Sequence, residues 1–443
     1  MYSRRTHRGM FAAGIALITL VPLAACSAGS STPGSTSGAA GGTDPAKFTV
    51  LTANENPTLA KELDALAAGS CKAENTALPL EHQTVAQADT VQKITLLASQ
   101  GALPAHFIAG TAMVRPDGDL GKAGLVLDYK KALTDLGAWD GILPAAASTV
   151  DSVYGQMVSL PYQYNIEGIW YNKAIFSKLG LPVPTTFDEL LADSAKIKDA
   201  GYTPFAMDGK DAWPVTRLIG MYIFRNVGPD AMKNVQAGTA KLTDADFVKA
   251  AAAVQTMAKD GYFGEGFISN DGAAANNAFL TGKAAMKYDG SWLLSNINDA
   301  SQDTIGADNV GLMPFPAVTG GAGSIDQWAA NAGAAMAMNP KSYGPKVAAW
   351  LKCIVTNYGS QALQDAGVVS GFKVNTPVTS IPVATKMVQE KVASIQQTVL
   401  WFEALMDGKS TALAQSNVSL LVTGQMSAQD YMSQLQTSID ANK

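Results

Sequence analysis

Phe48-Thr49-Val50-Leu51-Thr52 is an apolar, β-branched run that breaks at Asn54-Glu55-Asn56-Pro57, a turn that starts a helix reaching about Ala68. Further along, Leu78 to Thr84 sets Leu78, Leu80 and His82 on one face, Asp89 to Ser99 reads as an amphipathic helix, and His106 to Ala109 as a short strand. The order is βαβαβ. Alternation of this kind predicts an α/β fold with parallel strands and helices on both faces, where ligands bind outside the carboxyl ends of the strands.

Working toward the N-terminus, Arg4, Arg5, His7 and Arg8 precede an apolar stretch from Met10 to Leu20 that is too short for a stable membrane span. Residues 1–25 therefore read as an export signal. The run closes on Leu23-Ala24-Ala25-Cys26, which resembles the lipobox of bacterial lipoproteins and implies cleavage before Cys26 and lipid on its sulfur. An ordinary signal peptide with a coincidental cysteine is the alternative. The Gly/Ser/Thr tether that follows favours the lipobox: a flexible coil of this length reaches roughly 20–25 Å. No later segment offers ~18 uncharged apolar residues in a row.

Working toward the C-terminus, Val153 to Tyr162 reads as a hairpin around Gly155, and Gly168 to Asn172 as a strand before a helix Lys173 to Leu179. Thr186-x-x-Glu189 is a capping box for a helix to about Ala200, and Thr243-x-x-Asp246 opens another to Asp260. After Asp271 comes a helix ending near Gly282, then a strand Ala284 to Tyr288 and a helix start at Ser291. Strands at Val310 to Met313 and Ala334 to Met338 precede a helix Pro345 to Tyr358, and from about Ala384 only helices are expected. No period of 20–50 residues repeats, which argues against a solenoid.

The 443 residues are 47% hydrophobic and 16% charged, so the chain folds. One hydrophobic core stops growing at roughly 250–300 residues, so two lobes are expected. The formal charge is -5 without long runs of one sign, which argues against a phosphate-backbone footprint, so no nucleic acid is expected as partner. Loss of residues 1–25 leaves 29 basic against 37 acidic side chains, and an acidic body suits an uncharged or cationic small ligand. Three His and three Cys lie far apart with no CxxC or HExxH, so no metal site is expected. With Cys26 lipidated, Cys71 and Cys353 remain as an even pair, either a disulfide or two buried thiols.

Leu160-Pro-Tyr-Gln-Tyr-Asn-Ile-Glu-Gly-Ile-Trp-Tyr-Asn-Lys173, with Leu181-Pro182-x-Pro184-x-Thr186-Phe187-Asp188-Glu189-Leu190, resembles the extracellular solute-binding proteins of ABC importers, in the carbohydrate-binding family that includes maltose-binding protein. Gly282-Lys-Ala-Ala-Met286, Asp289-Gly-Ser-Trp292, Pro314-Phe-Pro316 and Asn339-Pro-Lys341 follow in the family's order, and the similarity runs from about Phe48 to Ile439. The resemblance implies a two-lobed periplasmic-binding-protein fold of type II, each lobe a mixed sheet flanked by helices, with the ligand cleft between them. It implies lobes of 46–155 with 308–358 and of 156–307 with 359–443, after a linker at 26–45. Cys71 and Cys353 then share a lobe, which favours their disulfide.

Sugars present hydroxyls at the ring edge and flat C–H faces, so a site needs aromatic platforms with amide and carboxylate partners. Trp292, at the end of a strand, matches a stacking tryptophan of the family, and Trp401 resembles another, with core packing as its alternative. Trp328 lies in a Gly-rich stretch and Trp213 in a loop before Pro214; each could equally bind or serve another role. Trp170 and Trp350 read as core, Trp139 as a loop plug. Asn54 and Glu55, after the first strand, are where the family often places hydroxyl ligands. Thr111, Tyr162 and Asn165 are further polar candidates, and Asp289 either binds or caps the helix at Ser291. The sequence departs from the family at Ala105-His106, where an acidic residue is common; His106 reads as structural.

No cofactor is implied. The partners implied are a carbohydrate, most simply a di- or oligosaccharide, the transmembrane subunits of an ABC permease, and the membrane through the lipid anchor, with the protein itself monomeric. No GxSxG, SxxK or phosphate-loop spacing occurs. An exported glycoside hydrolase with two carboxylates, and a surface sensor of a nonsugar solute, are the alternatives.

Overall fold

A computed structural model of the protein describes residues 41–395 and 397–442. The export signal, the lipobox at Cys26 and most of the tether lie outside the described residues. Among the described residues, ten strands build two sheets. In the first, β1 (Phe48–Ala53) runs parallel to β2 (Leu80–Val85) on one side and β3 (His106–Ala109) on the other.

The second sheet is arranged around β4 (Asn165–Asn172). Beyond β4 lie β5 (Thr203–Phe205) and β6 (Ala284–Gly290), parallel to each other, with β6 antiparallel to β4. The opposite edge of β4 is shared: β7 (Val310–Met313) pairs with Ile169 to Asn172 and β8 (Gln327–Asn331) with Asn165 to Glu167. β9 (Ala335–Met338) returns to the first sheet, antiparallel to β3, and β10 (Gln397–Val399) joins the second, parallel to β8. The carboxyl ends of β5, β6, β8 and β10 thus meet at one edge with the amino end of β4. In the first sheet the carboxyl ends of β1, β2 and β3 gather likewise, and Ala332 to Ala334 links the two edges.

Strand pairing moves the expected lobe boundaries. The segment 308–331 belongs to the second lobe, because β7 and β8 pair with β4. Met157, Val158, Leu160 and Tyr162 remain in the first core, as do Val368 and Phe372, because the helix Pro345–Ala366 runs 22 residues rather than stopping at Tyr358. The crossovers are tied together: Gly371 N–H donates to Pro161 O at 2.8 Å and Tyr164 N–H to Val369 O at 2.9 Å.

Local signals were met or overridden for identifiable reasons. The Thr186 box forms, with Glu189 N–H on Thr186 Oγ1 at 3.2 Å and Thr186 N–H on Glu189 Oε2 at 3.1 Å, and caps the helix Phe187–Asp199. The hairpin at Gly155 does not exist: Gly155, at φ 72°, ends the helix Pro144–Tyr154, a left-handed stop that only lacks a Cβ penalty at glycine. Asp244, not Thr243, precedes the helix Ala245–Lys259. Ser291 opens a short 3-10 turn, Ser291–Leu293, ahead of the helix Leu294–Ile297. The tail after Ala384 is not purely helical, since Gln397–Val399 gains a partner in β8 that its own short sequence does not announce.

Each lobe has its own core. In the first, Trp350 stacks on Phe48 at 5.1 Å and donates its indole N–H to Leu78 O at 2.9 Å. Cys71 and Cys353 are joined by a disulfide across 282 positions, pinning the loop after the helix Pro57–Ala68 to the helix Pro345–Ala366. His106 is structural: Nδ1–H donates to Ala337 O at 2.9 Å, Nε2 accepts from Tyr162 O–H at 2.9 Å, and burial holds its pKa down to about 4. In the second, Trp170 is fully buried.

Candidate functional site

Three tryptophans converge at the carboxyl edge of the second sheet. Trp213 begins the helix Trp213–Asn226 after β5, Trp292 follows β6, and Trp401 follows β10. Trp213 and Trp292 meet edge to face, with ring centroids 5.6 Å apart at 69°. Gly290 lets Trp292 fold back over the end of β6, since a Cβ there would fall within the indole ring. Ala212, immediately before Trp213, has φ 65° and is the one non-glycine residue with positive φ among the described residues. Such strain persists only where surrounding structure enforces it, and it clusters at binding sites.

Arg217 lies one helical turn beyond Trp213, and its guanidinium lies over two indoles, 5.6 Å from the Trp213 ring and 5.1 Å from that of Trp401. Its edge is held by two carboxylates: Nε donates to Glu167 Oε2 at 3.0 Å and an Nη to Glu403 Oε2 at 2.8 Å. Both acids are essentially buried, while the Arg217 side chain is 13% exposed. Glu167 also accepts from Tyr288 O–H at 3.2 Å and from Asn331 Nδ2 at 2.8 Å, and Glu403 from the Thr216 hydroxyl. Asn331 in turn accepts from Asn165 Nδ2 at 3.1 Å, and Asn165 from the Ser291 hydroxyl at 3.1 Å. A continuous polar network thus wires β4, β6, β8 and the loop after β10, and through Arg217 it reaches Trp213 and Trp401.

A second charged group lies beside the first. Lys287 pairs with Asp289, both buried, and Asp289 Oδ1 accepts from Gly290 N–H at 2.9 Å. Burial, then the adjoining Asp211 carboxyl, push Asp208 up to about 7.

From the first lobe, Arg115 reaches across. It donates to Val153 O within its own lobe at 3.1 Å, and to Met406 O at 3.1 Å and Ala404 O in the second lobe. Trp401 sits on the same loop and also packs against the first core.

Of the ten ligand positions expected, the structure brings Trp213, Trp292 and Trp401 together, with Asn165 in the polar network. Asn54 and Glu55 are exposed at the end of β1, where Glu55 accepts from Gln87 N–H at 2.9 Å, and Thr111 sits at the end of β3. Three expectations are corrected. Tyr162 is buried in the first core against Tyr358 and Phe372, with its hydroxyl committed to His106. Trp328 is buried within the second lobe, because β8 lies inside the sheet and its indole packs over the bare face of Gly168. Asp289 does not cap the turn at Ser291 and is buried, with its carboxylate paired to Lys287.

Arg217, Glu167, Glu403 and Asn331 escaped the reading of residue types, yet a signal was present. Glu167 stands inside the apolar strand Asn165–Asn172, and Arg217 inside the apolar helix Trp213–Asn226. A charge embedded in an apolar element requires a partner, and here each is the other's.

Residues 53–357 match the profile of the family described as bacterial extracellular solute-binding protein. The chain is 29% identical over 184 residues to the multiple sugar-binding protein of Streptococcus mutans and 28% identical over 185 residues to a "probable sugar-binding periplasmic protein" of Rhizobium meliloti. These alignments take in 38% and 41% of the chain and only 42% and 43% of the relatives, less than half their length. Among solved structures, a chitin oligosaccharide binding protein superposes with a TM-score of 0.77 at 23% identity, over 90% of this chain and all of that one. The binding protein RafE in complex with raffinose superposes with a TM-score of 0.70 at 18% identity, over 89% and 99%. The fold is thus that of a two-lobed α/β solute-binding protein, and with well over half of its length matched, the chain belongs to the family of bacterial extracellular solute-binding proteins.

Proposed function

We propose that the protein is the ligand-capturing subunit of an ABC sugar importer and holds a di- or oligosaccharide between its lobes, on the platforms formed by Trp213, Trp292 and Trp401. The observation that carries this reading is the convergence of three partly exposed indoles at the carboxyl edge of the sheet, two of them joined through Arg217 to a hydrogen-bonded network. Indole faces complement the C–H faces of pyranose rings, and buried amides and acids orient the hydroxyl contacts. The names of its sequence relatives and of its structural neighbours support a sugar.

Asn54, Glu55 and Thr111 supply the opposing wall from the first lobe. Ligand that touches both walls stabilises the closed arrangement, which the permease recognises; no bond is made or broken. The body acts outside the cytoplasm as a monomer, held to the membrane by lipid on Cys26. This anchor rests on the sequence of residues 23–26 and the tether that follows, and among the described residues no helix is long and apolar enough to cross a membrane.

The test is a thermal-shift and calorimetric screen of residues 44–443 against mono- and oligosaccharides, with product analysis after incubation. Ligand at 100 times its dissociation constant adds about 2.7 kcal/mol of stability. A raised midpoint with one sugar class and no new product supports capture. Consumption of the sugar would establish a hydrolase instead, and no shift with any sugar would direct the search to nonsugar solutes.

A further inference from the structure

We infer that Glu167 and Glu403, by neutralising Arg217 between its two tryptophans, make the site select uncharged or amino sugars and reject sugars that carry a carboxylate or phosphate. This rests on the sugar-binding reading above and adds the charge class of the ligand.

An arginine exposed between aromatic platforms is ordinarily the residue that recruits an anionic group, because its planar fork matches carboxylate and phosphate. Here two of the fork's three nitrogens are already taken. Nε is bound to Glu167 and one Nη to Glu403, and the guanidinium lies over the rings of Trp213 and Trp401 at 5.6 and 5.1 Å. One positive charge set against two buried negative charges leaves the cluster with a net charge of -1. Buried Arg225, further along the same helix, donates to the carbonyls of Phe315 and Gln327 and has Asp326 as its acidic neighbour, so it does not reverse this. Lys287 is matched by Asp289, Lys210 lies 3.7 Å from Asp271, and the adjoining carboxyls of Asp208 and Asp211 bring no positive charge. On the facing lobe, Arg115 is committed to three main-chain carbonyls, with Asp117 and Asp407 as charged neighbours.

An anionic sugar on these platforms would therefore meet uncompensated negative charge in a partly desolvated site, where like charges are costly. A neutral pyranose would lose nothing, and a protonated amine would gain. Arg217 holds Trp213 and Trp401 in register, and the two glutamates decide which charge the site accepts.

The experiment compares raffinose, xylotriose, cellotriose and chitosan trimer with trigalacturonic acid and a glucuronic-acid-substituted xylobiose, by calorimetry on residues 44–443. Wild type is expected to bind at least one neutral or amino trimer, and both acids at least ten-fold more weakly. Glu403→Gln removes one negative charge while keeping an acceptor for Thr216, and is expected to raise the acid-to-neutral affinity ratio at least five-fold. Glu167→Gln repeats the change from the other side of Arg217, should Glu403→Gln fold poorly. Wild-type binding of an acid as tight as that of its neutral counterpart, or a ratio unmoved in either folded variant, would overturn the inference and leave sugar capture standing. If both variants lose every probe, the wild-type ratio decides. Failure of every trimer on wild type would instead overturn the sugar reading, and this inference with it.

Discussion

Arg115 of the first lobe donates to the carbonyl of Met406 in the second at 3.1 Å, the same loop whose Glu403 holds Arg217 and whose Trp401 packs against both lobes. One loop therefore carries a platform, an anchor and an interlobe contact, so opening of the lobes and repositioning of Trp401 are mechanically linked.

Arg115→Met should loosen that link. Hydrogen bonds from a charged donor contribute roughly 1.5–3 kcal/mol each, so loss of the contacts to Ala404 and Met406 should enlarge the radius of gyration of the ligand-free protein and weaken sugar affinity. Unchanged X-ray scattering together with unchanged affinity would show that Arg115 plays no part in closure.

Gly290→Ala tests the Trp292 platform without touching the indole. The backbone at Gly290, φ -90°, suits any residue, so the strand should survive, but the new methyl would collide with the ring. Trp292 should swing away and sugar affinity fall at least ten-fold, as it should in Trp292→Ala, with the circular dichroism spectrum retained. Retention of full affinity in both variants would place the ligand elsewhere.

Glu62 is fully buried on the helix Pro57–Ala68, neither carboxylate oxygen meets a hydrogen-bond donor, and burial followed by the nearby Asp365 pushes it up to about 7. A carboxyl whose folded pKa is raised above its ordinary 4.5 contributes a penalty that grows as pH climbs from about 4.5 to 7 and is constant above. His106, held down to about 4, acts in the opposite sense, adding stability as pH rises from 4 to 6.5. The wild-type profile mixes the two, so the informative quantity is the difference between Glu62→Met and wild type. That difference should be on the order of 1–3 kcal/mol in favour of the variant at pH 8 and shrink toward pH 4.5. A difference independent of pH in urea titrations would refute the assignment.

Cys71→Ser with Cys353→Ser should lower the midpoint of thermal unfolding by several degrees, since removal of a native disulfide typically costs about 2–5 kcal/mol. The bridge lies within the first lobe, away from the tryptophans, so sugar affinity should hold. A loss of affinity in the folded double variant would mean the bridge shapes the site.

Much of this protein was legible along the chain. The strand Phe48 to Thr52, the helix to Ala68, the strand His106 to Ala109 and the Thr186 capping box all follow from local propensity and patterning, which act over a few residues and need no partner. The candidacy of Trp292 as a platform and the pairing of Cys71 with Cys353 were implied by family resemblance rather than by spacing. What the chain could not declare was any fact made by pairing across distance. β8 and β10 exist because each finds the other, and Trp328 became core because β8 lies within the sheet. The corrected lobe boundaries follow from β7 and β8 pairing with β4. Arg217, Glu167 and Glu403 are separated by up to 236 positions, and each alone reads as an ordinary charge. Only the tertiary fold brings both acids within 3.0 Å of Arg217, and burial then makes their pairing with it obligatory.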